Sequence, residues 1–327
     1  MTFKIASTRD LRRADGTAAF SEQAFEELAR NQDISWEWLP DDLDELTPDI
    51  LAQYDGLHVN TPKVSAWSVG RSDCRCKIIA RNGVGFDTVD VKACEQRNIL
   101  VTNTPLAIQR PVAVAALTFI FALAGKMMKK DQLVRTGHWH DRTSFMGVGL
   151  TSRRLGLIGA GGIGQELIPL AKPFFQEILV TDPFVSPETL ANLGASKTSF
   201  DDVMTQSDFV VVLCPLTEKT FHMIDERAFS LMKKTAYFIN VARGPIHDEE
   251  ALVRALETGQ IAGAGLDVTE QEPLDHRSPL TAMEQVILTP HSLCWTDECF
   301  EDIARSALRA IVDVSLGLSP AHPVKAS

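Results

Sequence analysis

The most constraining feature of this sequence is the alternation of short apolar runs with segments of helical periodicity along nearly its whole length. Several runs are apolar at every position, as strands of a parallel sheet covered on both faces must be. Alternating strands and helices predict doubly wound parallel sheets of the α/β class. The predicted strands cover residues 3–6, 56–60, 77–80, 100–102, 154–158, 178–181, 209–213, 237–240, 261–266 and 286–289, and the predicted helices include 21–30, 89–97, 162–171, 225–232 and 248–259.

The length of 327 residues predicts two domains, each with its own sheet, because one hydrophobic core rarely organises this many strands. The last predicted helix, 296–316, has to pack on an existing sheet, and we expect it on the first. The first domain is therefore predicted at 1–103 and 292–327, and the second at 104–291. The segment 132–149, rich in Gly, Arg, His and Trp, is expected to be an excursion on the surface.

Composition and charge limit the kinds of partner. The hydrophobic content of 45% and charged content of 23% are typical of a globular protein. A net charge of −11 argues against nucleic acid or an anionic membrane as the main partner. Residues 1–10 lack the apolar core of a signal peptide, and the most apolar stretch, 112–124, is short enough for a buried helix. We predict neither a membrane nor a nucleic-acid partner.

The cysteines favour a reducing compartment. None of them form a C-x-x-C pair, and Cys74 and Cys76 have no second Cys/His pair at zinc spacing. Reduced thiols in a cytoplasmic protein are the favoured interpretation, with a metal site as the alternative. We predict no metal. The six residues are Cys74, Cys76, Cys94, Cys214, Cys294 and Cys299.

A glycine-rich turn carries the clearest ligand signal. Gly159, Gly161 and Gly164 form G-x-G-x-x-G directly after a predicted strand, and Gly162 and Ile163 open the predicted helix. The first glycine allows a tight turn, the second a close approach of the backbone to a pyrophosphate, and the third close packing of helix on strand. The helix N-terminus then offers free N–H groups to the phosphates. The turn predicts a dinucleotide site.

An acidic residue after the next predicted strand indicates which dinucleotide binds. Asp182 lies eighteen residues after Gly164, where a carboxylate accepts hydrogen bonds from the ribose hydroxyls and repels a 2′-phosphate. This position favours NAD over NADP. Because Pro183 follows, Asp182 also has an alternative role as a turn former.

Three later segments carry polar groups suited to one reaction. Arg243 follows a predicted strand, where a guanidinium can bind a carboxylate with two parallel hydrogen bonds and polarise a neighbouring keto group. The segment 267–273 offers carboxylates, and His291 closes another strand. Hydride reduction of a 2-oxo acid needs a proton donor for the developing alkoxide, which an imidazolium supplies near neutral pH. We predict hydride transfer between NAD and C2 of a small 2-hydroxy or 2-oxo acid.

From residue 78 to His291 the chain resembles the D-isomer-specific 2-hydroxyacid dehydrogenases, which include D-3-phosphoglycerate dehydrogenases and hydroxypyruvate/glyoxylate reductases. The resemblance implies that His291 is the acid/base, Glu272 its carboxylate partner and Arg243 the substrate clamp. It also implies that the N–H groups of Val84 and Gly85 hold the substrate carboxylate. The motifs are Asn82-Gly83-Val84-Gly85-Phe86-Asp87, the glycine turn with Asp182, Cys214-Pro215-Leu216-Thr217, Ile239-Asn240-Val241-Ala242-Arg243-Gly244, Ala264-Gly265-Leu266-Asp267-Val268, Glu272-Pro273 and Thr289-Pro290-His291.

The same resemblance implies a Rossmann-type cofactor domain, a flavodoxin-like substrate domain and a homodimer that exchanges a segment near 125–150. Asp267 is expected to contact the nicotinamide carboxamide, and Cys214, Pro215 and Val241 to line the cofactor. Departures from the family pattern leave alternatives open. Trp295 either lines the substrate pocket or packs beneath the final helix, and Arg81 and Arg110 either approach an additional anionic group or lie solvated on the surface.

Three other functions compete with this one. Formate dehydrogenases share the architecture but pair the histidine with glutamine, where this chain has Glu272. Phosphite dehydrogenases carry a lysine where Val84 stands. A non-enzymatic NAD(H)-sensing corepressor of the same fold can retain the Arg, Glu and His set, so the sequence discriminates only weakly between this alternative and the favoured enzyme.

Overall fold

The structure, a computed structural model, describes residues 2–29 and 31–326. It divides into two compact units, one running up to Ile108 and from Trp295 onward, the other from Gln109 to Cys294. The predicted divisions fall after residues 103 and 291. The two ends of the described chain share the first unit, which is therefore discontinuous in sequence.

Strands and helices alternate through both units. The strands are β1 (Phe3–Ser7), β2 (Ile34–Trp38), β3 (Gly56–Val59), β4 (Ile78–Arg81), β5 (Leu100–Thr102), β6 (Arg154–Ile158), β7 (Glu177–Thr181), β8 (Ser196–Lys197), β9 (Phe209–Val212), β10 (Tyr237–Asn240), β11 (Gly263–Leu266), β12 (Val286–Leu288) and β13 (Pro323–Val324). The α-helices are α1 (Glu26–Ala29), α2 (Pro48–Gln53), α3 (Val91–Gln96), α4 (Gln109–Gly125), α5 (Met127–Arg135), α6 (Gly162–Ala171), α7 (Pro187–Leu193), α8 (Phe200–Gln206), α9 (Glu226–Leu231), α10 (Glu249–Glu257) and α11 (Asp297–Ser315).

The first unit is built on a sheet with the strand order β13-β5-β4-β3-β1-β2. Strands β1 to β5 are parallel and follow the flavodoxin-like order 2-1-3-4-5, whereas β13 joins the β5 edge in the antiparallel direction. Helix α11 packs against β3 and β4, as predicted, and buries Phe300, Leu308 and Ile311 on this sheet. The C-terminal helix thereby completes the core that the N-terminal strands begin.

The second unit is built on a parallel sheet with the order β12-β11-β10-β9-β6-β7-β8. Its first six strands in chain order give the Rossmann arrangement 3-2-1-4-5-6, and β12 extends it. Strands β9 and β10 are buried at every residue, which explains their continuous apolar runs. All carboxyl ends of a parallel sheet meet at one edge, and this edge positions the candidate site.

Several predicted elements differ from the structure. The helix predicted at 21–30 is a 3-10 turn, Glu22–Phe25, followed by the short α1, and Arg30 lies outside the described residues. The predicted excursion at 132–149 contains the end of α5 and a 3-10 helix, Trp139–Phe145, although its residues are mostly exposed. Strands β2, β8 and β13 were not predicted.

Helix α4 contains the most apolar stretch of the sequence and is mostly buried, as expected. Among the described residues, no single helix has the length and apolar composition needed to cross a membrane. Helices α4 and α5 together pass that test by length and composition, but the pair is bent by 57°.

Candidate active site

The carboxyl-end edge of the second sheet brings the predicted residues of this unit together. Parallel strands in open α/β sheets bind their ligands at this edge. Each of six neighbouring strands is followed within a few residues by a predicted functional group. In spatial order from β7 through β6, β9, β10, β11 and β12, these groups are Asp182, Gly159, Cys214, Arg243, Asp267 and His291.

The glycine turn has the geometry of a phosphate cradle. Gly159 adopts a left-handed φ of 97°, and a Cβ there would lie 2.7 Å from the backbone nitrogen of Cys214. A Cβ on Gly164 would lie 2.8 Å from the carbonyl oxygen of Gly159, so α6 packs tightly on the turn. Gly161, by contrast, faces open space at the N-terminus of α6. This space and the free N–H groups fit a pyrophosphate.

Asp182 is buried beside this turn and accepts three backbone hydrogen bonds. Ala160 N donates to Oδ2 at 2.7 Å, while Phe184 N and Val185 N donate to Oδ1 at 2.7 and 3.0 Å. Burial alone would raise the pKa of Asp182, but these donors, with Lys197 nearby, outweigh it and lower the pKa. Asp182 therefore forms the turn and also keeps a negative charge beside the cradle, and its contact with the cofactor ribose stays a prediction.

Cys214 faces Gly159 from the end of β9. Burial raises the pKa of its thiol to about 11, so the group is neutral near pH 7 and is not an activated nucleophile. Pro215 beside it is exposed, and Val241, which directly follows β10, is buried. These positions border the cradle within the same sheet edge, and their contacts with the cofactor stay a prediction.

Arg243 is half-buried in the turn that follows β10. The next residue, Gly244, approaches Thr269 so closely that a Cβ would overlap the Thr269 carbonyl group. The turn carrying Arg243 is thereby held against the loop that leads to Glu272. The charge of Arg243 also tends to lower the pKa of His291, which requires the two groups to be near one another.

His291 and Glu272 form the predicted acid/base pair. Nδ1 of His291 lies 2.8 Å from Glu272 Oε2, and the other carboxylate oxygen accepts from Thr269 N at 3.2 Å. The hydrogen bond to Glu272 raises the pKa of His291 against the opposing effects of burial and of Arg243. With Nδ1 engaged, Nε2 is the nitrogen available to a substrate, and the Glu272 carboxylate favours the charged form of the ring.

Asp267 anchors the turn that presents His291. Its Oδ1 accepts from the Thr289 hydroxyl at 2.6 Å and from the backbone nitrogens of Ser292 and Leu293 at 2.9 and 3.0 Å. The N–H of His291 donates to the Asp267 carbonyl at 2.7 Å, which supports the left-handed φ of 52° at His291. A contact from Asp267 to the nicotinamide carboxamide stays a prediction.

Within the first unit, Val84 and Gly85 lie in a loop held by its carbonyl oxygens. Asn103 Nδ2 donates to Val84 O at 2.8 Å, and Arg81 Nε donates to Gly85 O at 3.1 Å. In the described part of the chain, the N–H groups of Val84 and Gly85 donate no hydrogen bond. These two donors are therefore suited to an anionic ligand.

Two arginines and one tryptophan, whose roles the sequence leaves open, have distinct environments in the structure. Arg81 is buried and also donates to the carbonyl groups of Val59 and Asn60, so it is not a solvated surface residue. Arg110 is mostly exposed and pairs with Glu166. Trp295 packs edge-on against Phe300 at 4.8 Å near the start of α11, and its role toward substrate stays a prediction.

Two residues beneath the Arg243 turn could not be assigned a role from the sequence. Asn240, the last residue of β10, and His247, after the 3-10 turn Gly244–Ile246, are both fully buried and hydrogen-bonded to each other. Asn240 lies inside the motif Ile239-Asn240-Val241-Ala242-Arg243-Gly244. His247 gave no signal, because a histidine next to Asp248 at the start of a helix has the pattern of a solvated position.

Comparison with known proteins identifies the family. The family model of the NAD-binding domain of D-isomer-specific 2-hydroxyacid dehydrogenases matches residues 117–292. The chain belongs to this family. It is therefore an NAD-dependent oxidoreductase that acts on 2-hydroxy acids, and the resemblance inferred from its motifs is confirmed.

Relatives of this dehydrogenase agree in sequence and in fold. A glyoxylate reductase of Thermococcus onnurineus is 38% identical over 75% of each chain, and a D-3-phosphoglycerate dehydrogenase of Synechocystis is 36% identical over 83% of this chain and 48% of its own. The structure of a D-2-hydroxyisocaproate dehydrogenase superposes with a TM-score of 0.83 at 26% identity and covers 99% of this chain and 100% of that one. The predicted pair of parallel-sheet domains is confirmed.

Proposed function

We propose that this dehydrogenase reduces a small 2-oxo acid to the D-2-hydroxy acid, with glyoxylate as the first substrate to test. The hydrogen bond between His291 and Glu272, with Arg243 nearby, carries this proposal, because it supplies a charged proton donor beside a carboxylate-binding cation. Relatives named glyoxylate reductase, at 36 to 38% identity over three quarters of their length, support the choice of substrate.

Each residue has a defined task in this proposal. Bound NADH supplies the hydride when it is present. Arg243 binds the substrate carboxylate and the carbonyl oxygen, and its charge stabilises the negative charge that develops there. His291 donates a proton from Nε2 to that oxygen, while Glu272 keeps the imidazole charged and oriented. The N–H groups of Val84 and Gly85 bind the substrate carboxylate.

Turnover tests the proposal directly. NADH absorbance is followed with glyoxylate, hydroxypyruvate, 3-phosphohydroxypyruvate and longer 2-oxo acids, and each reaction is repeated with NADPH. We expect NADH to be consumed with at least one small 2-oxo acid. Tight NADH binding without consumption of any of these acids would contradict the proposal and favour an NAD(H)-sensing protein.

We propose further that the dehydrogenase is a cytoplasmic homodimer assembled on its second unit. Large apolar side chains of this unit are exposed on α4, α5 and the segments after them, which supports burial against a second copy. Sedimentation equilibrium measures the molecular mass in solution and so distinguishes this dimer from a monomer. The cytoplasmic location is supported by the six cysteines, which are all free thiols, as expected in a reducing compartment. The exposed apolar residues include Val114, Phe121, Met127, Met128, Val134, Trp139 and Met146.

A further inference from the structure

A buried histidine contacts the strand end that precedes Arg243. His247 has no exposed surface, and its Nδ1 lies 3.0 Å from Asn240 Nδ2. The imidazole also packs edge-on against Phe238 of β10, with ring centroids 5.5 Å apart. The ring is thus fixed beneath the carboxyl end of β10, below the turn that carries Arg243.

Two backbone groups determine the orientation of the Asn240 amide. Ala242 N, which can only donate, is 3.0 Å from Asn240 Oδ1. The Arg243 carbonyl oxygen, which can only accept, is 2.9 Å from Asn240 Nδ2. Oδ1 and Nδ2 are therefore assigned without ambiguity, and Asn240 spans the turn on both sides of the Ala242–Arg243 peptide bond.

The protonation of His247 follows from this orientation. The second hydrogen of Asn240 Nδ2 points at Nδ1 of His247, so Nδ1 is the acceptor and the ring proton resides on Nε2. Within the described residues, Nε2 has no hydrogen-bond partner. Leaving a buried N–H unpaired costs about 1–3 kcal/mol, so this histidine is a poor choice for stability alone.

We propose that His247 is a positioning residue for Arg243, acting through the amide of Asn240. This inference rests on the proposed role of Arg243 as the substrate clamp. Without the acceptor at Nδ1, one N–H of Asn240 is left unpaired in the core, and the amide can turn away from the Arg243 carbonyl. The turn then loosens and the guanidinium loses its fixed position toward the substrate. Displacing a clamp by about 1 Å can cost up to roughly 100-fold in rate.

Two substitutions separate positioning from stability. His247→Asn places an oxygen where Nδ1 stands but leaves part of the ring volume empty, whereas His247→Leu fills the volume and removes the acceptor. We expect His247→Asn to have the lower Tm but a KM for the 2-oxo acid within about twofold of wild type. We expect His247→Leu to keep the higher Tm while its KM rises about tenfold, and kcat falls less. Leu252→Ala, a buried change on α10, serves as a destabilised control with wild-type KM.

A double mutant tests whether the effect passes through Arg243. In an Arg243→Ala background, His247→Leu should no longer raise KM, because no guanidinium is left to position. A full tenfold rise in KM in that background would overturn the inference. So would a KM that rises as Tm falls across His247→Asn, His247→Leu and Leu252→Ala. If Arg243→Ala has an impaired kcat/KM but His247→Leu has the wild-type KM, the positioning role of His247 is excluded and the proposed clamp stands. A wild-type kcat/KM for Arg243→Ala removes the proposed clamp, and the inference with it.

Discussion

At the residue scale, we expect the pair formed by His291 and Glu272 to set the pH range in which a proton can be donated. Glu272 raises the pKa of His291, and in the proposed mechanism reduction needs the protonated ring. The rate of reduction is therefore high at pH values below this pKa and falls as the pH rises through it. Replacing the carboxylate by an amide removes the charge that favours the imidazolium, so the loss begins at lower pH.

Glu272→Gln should accordingly move the alkaline limb of kcat/KM for reduction to lower pH and lower the rate at alkaline pH by about tenfold. Activity near the acidic end of the profile should be affected much less. The measurement is the pH profile with NADH and the best 2-oxo acid. His291→Ala is the matched control, with kcat reduced at least roughly 100-fold at every pH and NADH binding retained. An alkaline limb at its wild-type position would contradict the role of Glu272.

At the same scale, we expect Asp182 to determine which dinucleotide is preferred. Its carboxylate is held by backbone donors and carries a charge beside the cradle, so a 2′-phosphate placed near it is repelled. Asp182→Ala should narrow the ratio of kcat/KM for NADH over NADPH by about tenfold or more. Because Ala160 N also loses its acceptor, NADH binding should weaken somewhat. A ratio equal to that of wild type would show that another group rejects the phosphate.

At the element scale, the approach of the β10 turn to the β11 loop places Arg243 near Glu272 and His291. Gly244 allows it, because any side chain there would meet the Thr269 carbonyl. Gly244→Ala should separate the two loops, lowering kcat/KM by about tenfold or more and lowering Tm. Gly149→Ala, where a Cβ meets nothing within 4 Å, is the matched control and should behave as wild type. Equal kcat/KM values for Gly244→Ala and Gly149→Ala would show that the close approach of the two loops is not required for activity.

The elements that carry this geometry could largely be predicted from the sequence. Strands buried on both faces, such as β9 and β10, have continuous apolar runs with turn residues after them, and β10 was predicted at its observed bounds. The G-x-G-x-x-G turn located the start of α6 because only glycines fit its close approaches. Residues that directly follow such strands could then be assigned to one sheet edge.

Other elements could not be predicted, for physical reasons. Strand β2 alternates half-buried and exposed residues at the sheet edge, so it has no continuous apolar run. Strands β8 and β13 have two residues each, too few to show a periodicity. The contact between Asn240 and His247 depends on a 3-10 turn that folds the chain back beneath β10, and no local pattern specifies that return.

At the scale of the whole molecule, each unit contains a buried histidine that resists protonation. In the first unit, burial lowers the pKa of His58 to about 4, where its ring lies between Ser7 and Asn82. In the second, burial lowers the pKa of His247 to about 4, with His222 adding to the effect. Unfolding returns both rings to an ordinary pKa near 6.5, so between pH 6.5 and 4 the unfolded chain binds more protons than the folded one.

We therefore expect these two histidines to lower the free energy of unfolding as pH decreases from 6.5 to 4, by up to roughly 3 kcal/mol each. Urea unfolding measured at pH 7 and pH 5 should show this loss in the wild-type chain. Replacing each buried ring by Asn removes its titration, so His58→Asn and His247→Asn should each lose less stability between the two pH values, even though both start lower. His276→Asn, at a side chain that is 92% exposed, should retain the wild-type dependence. If a variant carrying both His58→Asn and His247→Asn lost as much free energy of unfolding between pH 7 and pH 5 as the wild type does, carboxylates elsewhere would govern acid unfolding.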